Sequence, residues 1–140
     1  MAGKCKRRAA CRPALCRNSR EVGLRCCLRQ ARPQESIVLI SYAPFTTASA
    51  WMEVGPVYVH ADACDGYTEP DLPVELRTDP RVVRGYDRDR RLRYDHVRVV
   101  DPGEDLGDVI SELLSEDEVD VVHVRALATQ CFTYAVTRAA

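Results

Sequence analysis

The fold class follows from one stretch of this 140-residue chain, LRYDHVRVVDPGEDLGDVISELL (residues 92–114). Its first part, Leu92–Asp101, has the β-branched content and the partial alternation of apolar and polar residues that are typical of a strand. Its second part carries apolar residues at intervals of three and four, which is the spacing of one helix face: Leu106, Val109, Ile110, Leu113 and Leu114. A strand followed directly by an amphipathic helix indicates a fold that combines sheet and helix.

The helix is predicted over about residues 102–116. Asp101 is the expected N-cap residue, and Pro102 suits the first helical position. Glu104 lies three residues after the cap, where a carboxylate completes a capping pattern. This is the principal helix that the sequence predicts.

Further strands are predicted on both sides of this stretch. In chain order they are Glu35–Tyr42, Met52–His60, Val82–Tyr86, Val119–Leu127 and Cys131–Arg138. The link between the last two is short enough for an antiparallel hairpin. The expected fold is therefore α+β, a mainly antiparallel sheet of five to six strands with the helix packed on one face.

Composition indicates one folded domain preceded by an unusual arm. Hydrophobic residues make up 46% of the chain and charged residues 29%, which is ordinary for a soluble globular protein. Residues 1–34 hold ten basic residues and one acid, whereas residues 35–140 hold ten basic and twenty acidic residues. We therefore expect residues 1–21 to be a basic Cys/Arg-rich arm without regular structure, and residues 22–140 to be a single domain.

Three interpretations of the arm stay open. It could bind nucleic acid through its positive charge, but it has no aromatic residue to stack on a base. It could bind metal, but Cys5, Cys11 and Cys16 lack the spacing of a zinc module. It could be a solvated tail, or an artefact of the start site or reading frame in an arginine-rich coding sequence, and this is the favoured interpretation.

Several classes of protein are not expected. The apolar runs are too short for a membrane span, and no secretory signal pattern is present. Seven cysteines without such a signal indicate reduced thiols and a cytoplasmic protein. No glycine-rich phosphate loop, dinucleotide fingerprint or serine elbow occurs, so no cofactor is expected.

Ionisable residues gather on the last two predicted strands. Alternation places His123 and Arg125 on the same face, and Cys131 follows across the hairpin. Arg125 could bind a carboxylate or phosphate while His123 transfers a proton. Alternatively, the positive surroundings could activate Cys131 as a nucleophile. A structural interpretation is also open, in which the charged residues pair with acids and Cys131 is a small buried hydrophobe.

A metal site is not expected, although four residues have a suitable composition. His60 and Cys64 lie four residues apart where a predicted strand enters a loop. Together with His123 and Cys131 they have the composition of a His₂Cys₂ site. Nothing in the sequence brings these two pairs together.

Several segments resemble the actinobacterial branch of the family called domain of unknown function 1203. They are EVGPVYVHADACDGY (53–67), RVVRGYD (81–87) and VVHVRAL…QCFTYAV (121–136), and the match in order and spacing covers about residues 22–139. The family brings no established activity. The resemblance implies a small α+β protein with recurring polar positions, here Arg25, Tyr42, Glu53, His60, Cys64, Arg84, Tyr86, Asp87, His123, Arg125, Cys131 and Tyr134.

The chain departs from the family pattern in three places. Members commonly have Pro-Cys-Arg before the first strand, where this chain has Leu24-Arg25-Cys26-Cys27. Members usually carry a folded segment upstream, where this chain has its basic arm. A small residue is expected before Cys131, where this chain has Gln130.

The sequence therefore supports a first hypothesis, in which the protein binds or acts on a small anionic metabolite. The catalytic candidates are His123, Cys131 and His60, and the candidate substrate-binding residues are Arg125, Arg84, Tyr86, Tyr134 and Glu53. The alternative is a non-catalytic interaction module that forms a homodimer through a sheet edge. Nucleic-acid binding by the basic arm is the third hypothesis.

Overall fold

The computed structural model describes residues 14–15 and 23–139 of the chain. The elements are β1 (Ala14–Leu15), β2 (Gly23–Leu24), β3 (Arg29–Gln30), β4 (Ser36–Tyr42), β5 (Gly55–His60), a 3₁₀ turn (Val74–Arg77), β6 (Arg81–Tyr86), β7 (Leu92–Val100), α1 (Leu106–Ser115), β8 (Val121–Ala126) and β9 (Phe132–Thr137). The predicted α+β class with one principal helix is confirmed.

The strands form two sheets, so the prediction of one sheet of five to six strands is wrong. The N-terminal sheet has the order β1-β4-β5-β2-β3, and the C-terminal sheet has the order β7-β6-β8-β9. Pairing is antiparallel except between β2 and β5. Periodicity reveals that a segment is a strand but not which strand it pairs with, and β5 pairs back onto β4 and β2 and not onto β6.

Helix α1 covers one face of the C-terminal sheet. Its buried residues are Leu106, Val109, Ile110 and Leu113, which are four of the five that the spacing predicted. They pack with Val83 of β6 and with Val122 and Val124 of β8 in the largest cluster of buried apolar side chains among the described residues. This burial is the main source of stability for that half of the molecule.

The start of the helix differs from the prediction. Asp105, not Asp101, is the N-cap residue, and its carboxylate accepts a hydrogen bond from the N–H of Asp108 at 3.0 Å. Asp101 instead opens a turn, in which the N–H of Glu104 donates to its carbonyl and the Glu104 carboxylate accepts from its N–H. The prediction that Asp101 caps the helix and that Pro102 is its first residue is therefore wrong, because residues 101–104 form a separate turn before the helix.

The predicted arm lies mostly outside the described residues. Within it, Ala14 and Leu15 pair with Ile37 and Ser36 of β4. The predictions for residues 1–13 and 16–22 fall outside the part of the chain that the structure describes. In the described part, no helix is long and apolar enough to cross a membrane.

A tight hairpin joins β2 to β3. The N–H of Leu28 donates to the carbonyl of Leu24 at 2.9 Å, and Leu28 has a φ of 58°. A left-handed backbone conformation costs a leucine about 1–2 kcal/mol. The turn therefore holds Arg25, Cys26 and Cys27 in an arrangement that local preference alone does not favour.

Candidate functional site

A cavity of about 360 Å³ lies where the two sheets meet. The loop before β5 and the start of β5 form one wall, and β6 with the β8–β9 hairpin forms the other. The charged and thiol-bearing side chains on its walls are Glu53, Arg84, Arg125 and Cys131. A concave site between two structural layers, with a few converging polar groups, is the usual setting for a small-molecule ligand.

Two arginines on the cavity wall bind the same carboxylate. Nη1 of Arg84 donates to Oε1 of Glu53 at 3.1 Å, and Nη2 of Arg125 donates to Oε2 of Glu53. The Arg125 side chain is only 6% exposed, whereas the Glu53 side chain is 42% exposed. The deep positive group is thus neutralised by an acid that lies nearer the solvent.

The β8–β9 turn completes this wall. The Gln130 carbonyl accepts from Nη1 of Arg125 at 3.1 Å, and its side-chain oxygen accepts from Nη2 of Arg84 at 3.3 Å. Gln130 has a φ of 60°, a conformation in which glycine would be unstrained. The residue that departs from the family pattern is therefore a hydrogen-bond partner of both arginines.

His123 lies beneath the arginines and does not line the cavity. It is 1% exposed, and its ring centroid lies 4.4 Å from that of Phe45, 4.7 Å from Tyr86 and 4.9 Å from Phe132. Burial, together with the positive charges of the neighbouring arginines, lowers the pKa of His123 to about 3. The ring is neutral at pH 7, which suits packing better than proton transfer.

Other predicted ligand-binding residues lie apart from the cavity. Tyr86 is buried with Phe45 and Val121. Tyr134 lines a second cavity, of about 330 Å³, beside α1, with Tyr67 near its ring. The predicted ligand set is therefore divided, and only Glu53, Arg84 and Arg125 share one site with Cys131.

The third catalytic candidate, His60, lies in a different place. Its Nδ1 is 3.4 Å from Sγ of Cys26 and 3.8 Å from Sγ of Cys27. Cys64 completes this group, in which all four potential ligand atoms lie within 4.8 Å of one another. The structure therefore does not join His60 and Cys64 to His123 and Cys131, as the His₂Cys₂ alternative required.

Burial and neighbouring groups affect these thiols differently. Burial raises the pKa of Cys26 to about 12, with a further contribution from Cys27. Burial also raises the pKa of Cys27. For Cys64 burial acts in the same direction but is outweighed by hydrogen bonds from the Gly66 amide and from the cluster, which lower its pKa.

Cys26 and Cys27 are the residues that sequence reasoning missed. The adjacent cysteines entered the sequence analysis only as a departure from the Pro-Cys-Arg pattern and were not proposed as ligands. That departure was the available signal, but no local pattern places these cysteines beside His60 and Cys64.

Comparison with known proteins identifies the family. The sequence model of the family described as "Protein of unknown function (DUF1203)" matches residues 22–138. The chain belongs to this family, so the resemblance seen in the sequence is confirmed at the level of the family. No curated protein and no solved structure matches the chain.

Proposed function

We propose that this member of DUF1203 binds a small metabolite bearing a carboxylate or phosphate group in the cavity between the two sheets. The observation that carries the proposal is the convergence of Arg84 and Arg125 on one carboxylate at the cavity wall. Paired guanidinium groups recognise planar carboxylates and phosphates through charge-assisted hydrogen bonds.

The charge on the wall leaves capacity for a ligand. Two arginines face one glutamate, so the set carries a net positive charge. Nε of Arg125 is buried and has no hydrogen-bond partner among the described residues. A buried N–H group without an acceptor reduces the stability of the folded protein. An anionic ligand that rearranges the contacts of Arg125 could accept a hydrogen bond from its Nε.

Glu53 has the role of an internal competitor in this proposal. Its carboxylate occupies the position that a ligand carboxylate or phosphate would take between the arginines. Its greater exposure makes it the partner that can be displaced. Cys131 supplies a thiol beside the bound group, and a chemical step by Cys131 or His123 stays a prediction.

Native and denaturing mass spectrometry of freshly purified protein tests for a retained ligand. Calorimetric titrations with inorganic phosphate and with succinate then measure affinity. We expect Arg125→Gln to weaken binding of the better probe by about tenfold to a hundredfold, because a hydrogen bond to a charged group contributes about 1.5–3 kcal/mol. Glu53→Gln is expected to strengthen it.

Arg98→Gln is the matched control, because Arg98 lies on β7 and pairs with Glu112 at 2.9 Å. It should bind the probe as the wild type does. If neither probe binds and no retained small molecule is found, or if Arg98→Gln and Arg125→Gln weaken binding equally, the proposal is wrong.

A homodimer through β7 is a second candidate. This strand is an edge of the C-terminal sheet, and it exposes Tyr94, Val97 and Val99. Exposed apolar edge strands favour pairing between copies. Light scattering after size exclusion should then give a dimer mass that Val99→Lys reduces to a monomer, and a wild-type monomer at every concentration would exclude it.

A further inference from the structure

We propose that Cys26, Cys27, His60 and Cys64 bind one structural zinc ion. Two turns bring these side chains together: the β2–β3 hairpin supplies the adjacent cysteines, and the end of β5 with the following loop supplies His60 and Cys64. Three thiols and one imidazole form a common donor set of structural zinc sites. This site is separate from the arginine cavity.

The distances between donor atoms agree with a tetrahedron around zinc. Bonds of about 2.3 Å to sulfur and about 2.0–2.1 Å to nitrogen place two sulfurs about 3.8 Å apart and a sulfur about 3.6 Å from a nitrogen. The two Sγ atoms of Cys26 and Cys27 are 3.9 Å apart, and they lie 3.4 and 3.8 Å from Nδ1 of His60. These three atoms thus have the spacing of a coordination shell, and Sγ of Cys64 lies within 4.8 Å of each of them.

A disulfide does not explain the same arrangement. The 3.9 Å separation of the Cys26 and Cys27 sulfurs is far from the roughly 2.05 Å of a disulfide bond. A disulfide also needs no imidazole, whereas here His60 directs a ring nitrogen at two thiols.

One backbone amide supports a thiolate in this group. The N–H of His60 donates to Sγ of Cys26 at 3.3 Å. Such an N–H···S bond stabilises the charged form that a metal requires, because only the thiolate is a metal ligand.

The outer face of the histidine is also supported. Nε2 of His60 lies 3.2 Å from Oε1 of Glu35 and 3.1 Å from Nη2 of Arg29. Glu35 also binds Arg29 through both carboxylate oxygens. In the tautomer in which Nε2–H donates to Glu35, Nδ1 is free to bind the metal. Arg29 then donates to the Glu35 carboxylate and not to the ring. The guanidinium offsets part of the negative charge of three thiolates.

The chemistry and the surroundings favour zinc in a structural role. Sulfur-rich tetrahedral sites select zinc over the hard cations, which prefer oxygen. Four protein ligands leave no open position for substrate. Among the residues that the structure describes, the neighbouring cluster of buried apolar side chains consists of Leu24, Ala31 and Ile37, with the two cysteines packed against it. A zinc ion would link the two-residue strands β2 and β3 to β5, as structural metals do in small folded units.

Elemental analysis of the purified full-length chain tests the proposal. We expect about one zinc per chain. Cys64→Ser and His60→Ala should lose most of it, whereas His60→Cys, which keeps four donors, should retain it. Glu35→Gln should retain the site but weaken zinc affinity by about tenfold to a hundredfold, measured against a competing chelator.

Two control variants separate this cluster from the other cysteines. Cys131→Ser and a combined Cys5→Ser, Cys11→Ser, Cys16→Ser variant should both keep the zinc. If the variants fold poorly, the wild-type protein can be tested instead. Cobalt exchanged into the site should show the visible absorption bands of a tetrahedral ion with thiolate ligands. Wild-type protein that holds no metal and binds neither zinc nor cobalt stoichiometrically would overturn the proposal, as would zinc retained in Cys64→Ser but lost in the N-terminal variant.

Discussion

His123 shows how its surroundings determine the role of an ionisable residue. Its ring packs among three aromatic side chains, and its Nδ1 has no hydrogen-bond partner among the described residues. Arg125, two residues further along the same strand, reaches the cavity instead. The sequence placed both on one face, but only the tertiary structure showed that one is enclosed and the other lines a site.

The burial of His123 predicts a loss of stability in mild acid. The unfolded chain binds a proton near the ordinary histidine pKa of about 6.5, whereas the folded chain does so only near pH 3. The unfolded state therefore gains protons first as the pH falls, and His123 should reduce the free energy of unfolding by about 2 kcal/mol between about pH 7 and pH 5. Urea titrations of the wild type and of His123→Phe at both pH values measure the contribution of His123 to the free energy of unfolding.

The variant should lose less stability than the wild type over that interval. Equal losses in the two proteins would show that His123 does not contribute. A folded His123→Phe that binds phosphate or succinate as the wild type does would also exclude a direct role for His123 in ligand binding.

For helix α1, the sequence predicted the apolar face correctly but placed the first residue of the helix too early. The face depends on the spacing of Leu106, Val109, Ile110 and Leu113, which is local information. The start depends on which of two aspartates caps the first turn, Asp101 or Asp105. Both have favourable residues after them, and the sequence pattern alone does not rank them.

Replacing the two aspartates distinguishes them. Asp105→Ala should lower the free energy of unfolding by about 1 kcal/mol, because it removes the acceptor for the Asp108 N–H. Asp101→Ala should cost less, because the Asp101 contacts in this turn are made by its backbone. Urea unfolding monitored by circular dichroism measures both, and an equal or larger loss in Asp101→Ala would contradict the assignment of the cap.

In the molecule as a whole, the two sheets have unequal cores. Among the residues that the structure describes, ten buried residues form the cluster that joins the C-terminal sheet to α1, whereas the cluster beside the β2–β3 hairpin has three. Arg25 in this hairpin donates from Nε to the Phe132 carbonyl of β9 at 2.6 Å. The hairpin therefore connects the proposed zinc site to the wall of the cavity between the sheets.

Removal of the metal should open the N-terminal sheet first. Chelation would remove the zinc ion that links the β2–β3 hairpin to β5. Amides of β2, β3 and β5 should therefore exchange with deuterium faster, while those of β6, β8 and α1 stay protected. Hydrogen-exchange mass spectrometry with and without chelator measures this difference. A uniform increase over both sheets, or no change in protein shown to have lost zinc, would contradict it.

The sequence by itself determined the α+β class, the positions of most strands, the apolar face of α1 and the family. The class, the strands and the helix face depend on short-range periodicity of apolar residues. The family depends on short segments of sequence that can be compared directly with those of its members. The tertiary structure alone decided that there are two sheets. The backbone groups of one strand can form hydrogen bonds with those of any other strand, so the sequence of a strand does not specify which strand it pairs with. It also decided that Cys26 lies against His60, 34 residues away, since contacts between distant segments depend on how whole strands pair and not on any local pattern.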